Sequence, residues 1–335
     1  MTQPPPEQRP DTPAAEDTTG GRASGKNNFV PVVITCAAAI VLLAIAVSVL
    51  IATLGGDGGT APRAGSDSAS PTGRPGEGSA AGAKPSSTTT SLRVMPGKIL
   101  ELEDHPLLLD DGVGLSNKRC DLPEWQNTKD KAKAFFRAAT RCLDEAWAPL
   151  LRSYNLPFTP PRLYFPSGSS FDSDCGTIEV GLETAAYYCE GELFLPWGGL
   201  QIEQYENNPG VFLALIAHEY GHHVQELAGI MDAAWRKIYG AGEDSDEGRE
   251  MSRRKELQAQ CFSGMFLGAH VDRGGSITRQ MYDAAWHDQE TRGDNTSGGH
   301  DHGSNVNYAE WWRTGALDNR IADCNTFSAS NNKVR

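Results

Sequence analysis

The chain has 335 residues, with 30 Lys/Arg against 43 Asp/Glu and a formal net charge of −13 at pH 7. Residues 93–335 alone hold 24 Lys/Arg and 36 Asp/Glu. So acidic a surface argues against nucleic acid as a partner.

Composition shifts sharply along the chain. Residues 1–28 are rich in Pro, Thr, Asp and Glu and offer too little apolar surface to offset backbone ordering, so a disordered tail is expected there. Phe29 to Leu54 follows as 26 residues without a charge. At about 1.5 Å per residue this stretch exceeds a hydrocarbon core of about 30 Å. It is also longer than the roughly 7–15 apolar residues of a cleaved signal peptide, so a transmembrane helix over 29–54 is expected. Arg22 and Lys26 precede it and Asp57 follows, a bias that places the N-terminus in the cytoplasm. Residues 55–92 are Gly, Ser, Pro, Ala and Thr without a hydrophobic period and read as a flexible linker. A folded domain is expected over 93–335.

Of seven cysteines, Cys36 lies in the expected span, whereas Cys120, Cys142, Cys175, Cys189, Cys261 and Cys324 all belong to the domain. None forms C-x-x-C, and an even number outside the membrane suits disulfides. Six cysteines permit 15 connectivities. Neighbour pairing, 120 with 142, 175 with 189 and 261 with 324, is the simplest. Reduced thiols are the other reading.

Within the domain, apolar residues from Ala132 to Trp147 recur at helical spacing, predicting a helix over 128–151 with Thr128 as N-cap. Three β-like runs follow at 162–165, 177–180 and 192–195. Next comes a helix opened by Asn207 or Asn208 with Pro209 in its first turn, running to about Ala228. Further helical patterns cover 231–239, 249–268, 276–288 and 305–314. The acidic run 242–250 reads as a solvated face. The expected class is α+β, mostly helical, with a small sheet before the histidine-bearing helix.

That helix carries His218-Glu219-Tyr220-Gly221-His222. Histidines four apart point from one helix face, and H-E-x-x-H lets two imidazoles hold zinc while the glutamate acts as base toward a water. Gly221 is expected to leave room beside the metal. His223 falls outside the pair, behind it or at the surface. A catalytic zinc site needs a third protein ligand. Candidates are a glutamate on another helix or one of His270, His287, His300 and His302. Ala228 stands where the metzincin spacing would put a histidine, so that arrangement is excluded. Glu256 is the best glutamate, 34 residues after His222 on a helix long enough to pack beside the first.

Four separated motifs, H-E-Y-G-H-H-V-Q at 218–225, E-L-Q-A-Q-C-F-S-G at 256–264, H-G-S at 302–304 and C-N-T-F at 324–327, resemble the neutral zinc metallopeptidase family of bacterial YpfJ-type proteins. D-C-G at 174–176 and Y-Y-C at 187–189 extend the resemblance. It implies a zincin-like peptidase domain that binds Zn2+ through His218, His222 and Glu256. In it Glu219 is the general base and His302 a catalytic group able to stabilise an oxyanion. A bacterial cell-membrane protein is then expected, single-pass, with its C-terminal domain outside the cytoplasm and a peptide or protein as substrate. The sequence is silent on oligomeric state.

Two departures stand out. The family usually carries aspartate where this chain has Gln260, and glutamine can still accept a hydrogen bond from an imidazole but brings no charge. After H-G-S the chain reads N-V-N-Y-A-E-W-W instead of the Gln-Arg found in relatives. A zinc-binding scaffold without turnover and a zinc hydrolase acting on cell-wall peptides are the alternative functions. An intact Glu219 argues against the scaffold, which has no use for a base.

Overall fold

The computed structural model describes residues 95–181 and 184–335. The tail, span and linker expected at 1–28, 29–54 and 55–92 lie outside the described residues.

Six helices of ten or more residues are found among the described residues: α1 (Lys129–Ser153), α2 (Pro209–Ala228), α3 (Ile230–Ala241), α4 (Asp246–His270), α5 (Arg279–Asp288) and α6 (Asn305–Asp318). Between α1 and α2 lie five short strands: β1 (Arg162–Tyr164), β2 (Ser170–Ser173), β3 (Gly176–Glu179), β4 (Tyr187–Cys189) and β5 (Glu192–Phe194). The protein is thus mostly helical with small sheets, as the pattern predicted.

Three strands form one sheet in the order β1-β5-β4, with β1 parallel and β4 antiparallel to β5, so that Leu163 and Tyr188 both flank Leu193. β2 and β3 pair separately as a hairpin. The turn from β4 to β5 uses Glu190 and Gly191, both at positive φ, the backbone twist that suits a two-residue hairpin. β2 and β4 were not anticipated. Both are short: β2 spans four residues and β4 three, too few for a sequence pattern to stand out, and β4 shows no alternation of buried and solvated residues.

α2 begins with Pro209, whose missing N–H costs nothing in the first turn, and ends at Gly229 with φ +93°. Its last carbonyls accept from the Gly229 N–H, and Ala228 accepts from the Ile99 N–H at 2.9 Å. α4 starts earlier than expected. Ser245 Oγ caps it by accepting from the Gly248 N–H at 2.9 Å, while Asp246 and Glu247 in the first turn favour the positive helix end. The acidic run is therefore partly a helix start.

α4 packs against both α2 and α6. The crossing with α2 is tight: a Cβ on Gly221 would sit 2.8 Å from the Ala259 carbonyl oxygen and 2.9 Å from its Cα. Gly221 therefore makes room for the backbone of α4, not for a metal. Around this pair the core gathers Trp125 stacked on Phe212, ring centroids 4.1 Å apart, and Trp147 against Phe262 at 5.0 Å. The six domain cysteines pair as neighbours, 120–142, 175–189 and 261–324. The last of these ties the segment beyond α6 to the middle of α4.

One expectation is corrected. No helix among the described residues is long and apolar enough to cross a membrane, and the expected span lies outside them. α1 and α4, 25 residues each, have the length but not the chemistry. Charged side chains run through both, as at Arg253, Arg254, Lys255 and Glu256, and hydrocarbon cannot solvate them. The single-pass membrane location is dropped from the account.

Candidate metal centre

Two helices and one loop meet at the floor of a cleft of about 900 Å³. α2 presents His218, Glu219 and His222 to this cleft, with the two histidines, one turn apart, reaching Glu256 of α4. α4 presents Glu256 and Gln260, one turn apart. His302 comes from the loop before α6, where its N–H donates to Asp294 Oδ1 at 3.0 Å.

The convergence point is a single oxygen. Glu256 Oε2 lies 3.4 Å from His218 Nε2, 2.9 Å from His222 Nε2 and 3.5 Å from His302 Nε2. The ligand atoms of His218, Glu256 and His302 all fall within 4.8 Å of one another, and this cluster could hold a metal ion. The cluster joins two of the expected ligands to His302, the expected catalytic group, and leaves out His222, whose Nε2 nonetheless lies beside the same Glu256 oxygen.

The far sides of the two α2 imidazoles fix their tautomers. Gln260 Oε1 faces His218 Nδ1 at 3.1 Å, and Gln225 Oε1 faces His222 Nδ1 at 2.9 Å. Each amide is oriented by its other end: Gln260 Nε2 donates to Gln289 Oε1, and Gln225 Nε2 donates to the Lys255 carbonyl at 2.8 Å and to Gln258 Oε1 at 3.0 Å. With amide oxygens as acceptors, both Nδ1 atoms carry a proton, so Nε2 is the atom that each imidazole turns toward Glu256. This donor set, two imidazoles and a carboxylate on a buried floor, fits zinc.

Burial acts on each ionisable group here. It raises Glu219 to about 7, a value against which the charges of His218 and His302 pull only partly. It lowers His218, which Glu256 counteracts in part. Glu256 itself is held well below the carboxylate range, because His222, Lys255 and His302 outweigh its burial. His302 differs from the α2 pair. Burial would lower it, but the Glu256 charge and the Asp301 carboxylate, 2.7 Å from its Nδ1, raise it above the ordinary histidine value.

Other sequence candidates fall away. His270 is buried with Nδ1 donating to the Phe266 carbonyl at 2.8 Å, His287 is exposed, and His300 is exposed beside Asp294. His223 is buried behind the site. Its Nε2 donates to the Thr159 carbonyl at 2.8 Å and its Nδ1 accepts from the Tyr188 hydroxyl at 3.1 Å. Tyr220 turns away to donate to Asp144 Oδ1 at 2.7 Å, whereas the ring of Tyr308 lies 6.1 Å from that of His218 and 6.3 Å from that of His302. Gln225 escaped the sequence reading, although its place three residues after His222 puts it on the same helix face.

The family described as "Putative neutral zinc metallopeptidase" matches residues 62–327. The chain belongs to this family. Among its relatives, the uncharacterized YpfJ of Escherichia coli is 32% identical over 216 residues, which are 60% of this chain and 74% of the relative. An uncharacterized protein of Mycobacterium tuberculosis is 27% identical over 218 residues, 58% of this chain and 70% of the relative. No solved structure matches. The resemblance drawn from the four motifs is therefore correct, and zinc is the metal the family implies.

Proposed function

We propose that the protein is a zinc-dependent peptidase in which His218, His222 and Glu256 hold the metal, Glu219 is the general base and His302 stabilises developing negative charge. The observation that carries this reading is the meeting of three imidazole Nε2 atoms at Glu256 Oε2. The division of roles among the histidines follows from their partners. His218 and His222 face uncharged amides, which hold the Nδ1 protons and leave Nε2 for the metal, whereas His302 faces the Asp301 carboxylate, which favours its cationic, donating form.

Zinc bound there would supply Lewis acidity toward a water and the scissile carbonyl. Glu219, beside His218 and raised toward neutrality by burial, takes a proton from the attacking water and returns it to the leaving amine. His302 donates to the carbonyl oxygen as it gains charge. Tyr187, Tyr188, Trp235 and Tyr239 line the same cleft and offer apolar and hydrogen-bonding surface to a peptide. No covalent intermediate is required.

The metal assignment is tested by zinc content of the full chain. About one zinc per chain is expected in the wild type and well under that in His222→Ala and Glu256→Gln. A wild type that takes up no zinc rules the reading out.

A further inference from the structure

Lys255 is the residue before Glu256, so on an ideal helix the two side chains diverge by about 100°. They do not diverge here. The Lys255 ammonium folds back to lie 2.8 Å from Glu256 Oε1, with side chains 11% and 9% exposed. Trp235 of α3 holds it there: the Nζ lies 4.6 Å from the centroid of the indole ring. A lysine beside an open cleft ordinarily extends its ammonium into water, because burying it sacrifices hydration. This one is turned inward between a carboxylate and an aromatic face, partners that offset the lost hydration. Its backbone is engaged as well, since the Lys255 carbonyl accepts from the Gln225 amide that orients His222.

We infer that Lys255 is a positioning residue for the metal centre: it clamps Glu256 through Oε1 and so presents Oε2 alone to the three imidazoles. A carboxylate free to rotate would offer either or both oxygens to an ion. Engaging one of them with a fixed cation leaves a single, aimed donor and keeps a further coordination position open. Trp235 serves the same end one step removed, by fixing where the ammonium sits. The assignment rests on the zinc reading above.

Two opposing effects make the test decisive. A cation near the ion repels it, so if Lys255 were merely a nearby charge, removing it would tighten zinc binding. If it is a clamp, removing it weakens binding, on the scale of about 10–100-fold seen when groups that orient metal ligands are lost. The experiment is competition of the full chain against a chromogenic chelator for zinc, on wild type, Lys255→Met and Trp235→Leu, with the apo melting temperature of each recorded. Trp235 is half-exposed, so its variant keeps both the fold and the ammonium and answers the question should Lys255→Met not fold.

Weaker zinc binding in both variants, with Trp235→Leu affected less, is the expected result. Zinc affinity equal to or above the wild type's in the folded variants overturns the clamp while leaving the metal site standing. The same holds if only KM for a peptide rises, which would make Lys255 a substrate contact. A wild type that binds no zinc overturns the metal reading and the clamp with it.

Discussion

Gln260 Oε1 lies 3.1 Å from Nδ1 of His218, and the opposite end of the same amide donates to Gln289. The amide thus accepts from the imidazole at Nδ1 and leaves Nε2 to face the site. It does so without charge. Gln260→Ala should therefore weaken zinc binding by about 10–100-fold. Gln260→Asp should hold zinc at least as tightly as the wild type, since a carboxylate makes the imidazole a stronger donor. Chelator competition measures both.

Gly221 supplies a second prediction. A side chain there would strike the Ala259 backbone, which is embedded in α4 and cannot step aside. Overpacking costs about 1–3 kcal/mol, more than any gain in helix propensity from replacing glycine. Gly221→Val should lower the melting temperature and weaken zinc binding together, because His218 and Glu256 ride on the two helices being forced apart.

The disulfide between Cys261 and Cys324 holds the segment beyond α6 to α4. Around it, Gln258 Nε2 donates to the Cys324 carbonyl at 3.2 Å, and Arg254 donates to the carbonyls of Phe327 at 3.1 Å and Ala329 at 2.9 Å. Cys324→Ser should cost about 2–5 kcal/mol. Denaturant unfolding should show a lower midpoint.

Asp144 gives a pH signature remote from the metal. Burial raises its carboxyl from 3.8 to about 6, against the hydrogen bond from Tyr220. A carboxyl that holds its proton to higher pH folded than unfolded stabilises the fold when protonated. That contribution is full below about pH 4 and lost as pH rises through about 6. After discounting for its partial exposure, about 1 kcal/mol is at stake. Asp144→Asn, whose amide oxygen still accepts from Tyr220, should melt about 2–4 °C higher than the wild type at pH 8 and no higher at pH 4. Equal melting points at both values would refute this.

The histidine-bearing helix was legible because two local signals agreed: Pro209 at its start and a continuous apolar approach from Val211 to Ala217. The H-E-x-x-H spacing then fixed which face carried the chemistry. The start of α4 was misread because Asp244, Asp246 and Glu247 look like a solvated run, and only the Ser245 cap distinguishes a helix start from a loop. Glu256 and His302 lie 34 and 80 residues beyond His222. Nothing in local periodicity brings such distant residues together: Glu256 was singled out by a helix long enough to pack beside the first, and His302 by the family resemblance of its H-G-S. The roles of Gln225 and Lys255 depend on how α2, α3 and α4 cross, and crossing geometry is set by packing at positions such as Gly221. Neighbour pairing of the cysteines was right because each pair joins segments that already lie side by side.

The central claim is that Glu219 works as the base beside a zinc held by its neighbours. Its most direct test is peptide hydrolysis by the full chain, wild type against Glu219→Gln, each loaded with zinc and offered a broad peptide library. Cleavage by the wild type is predicted, falling by about 10²–10⁴-fold in the variant at unchanged zinc content. A zinc-loaded wild type that cleaves no peptide, or a variant that cleaves as fast, would contradict it.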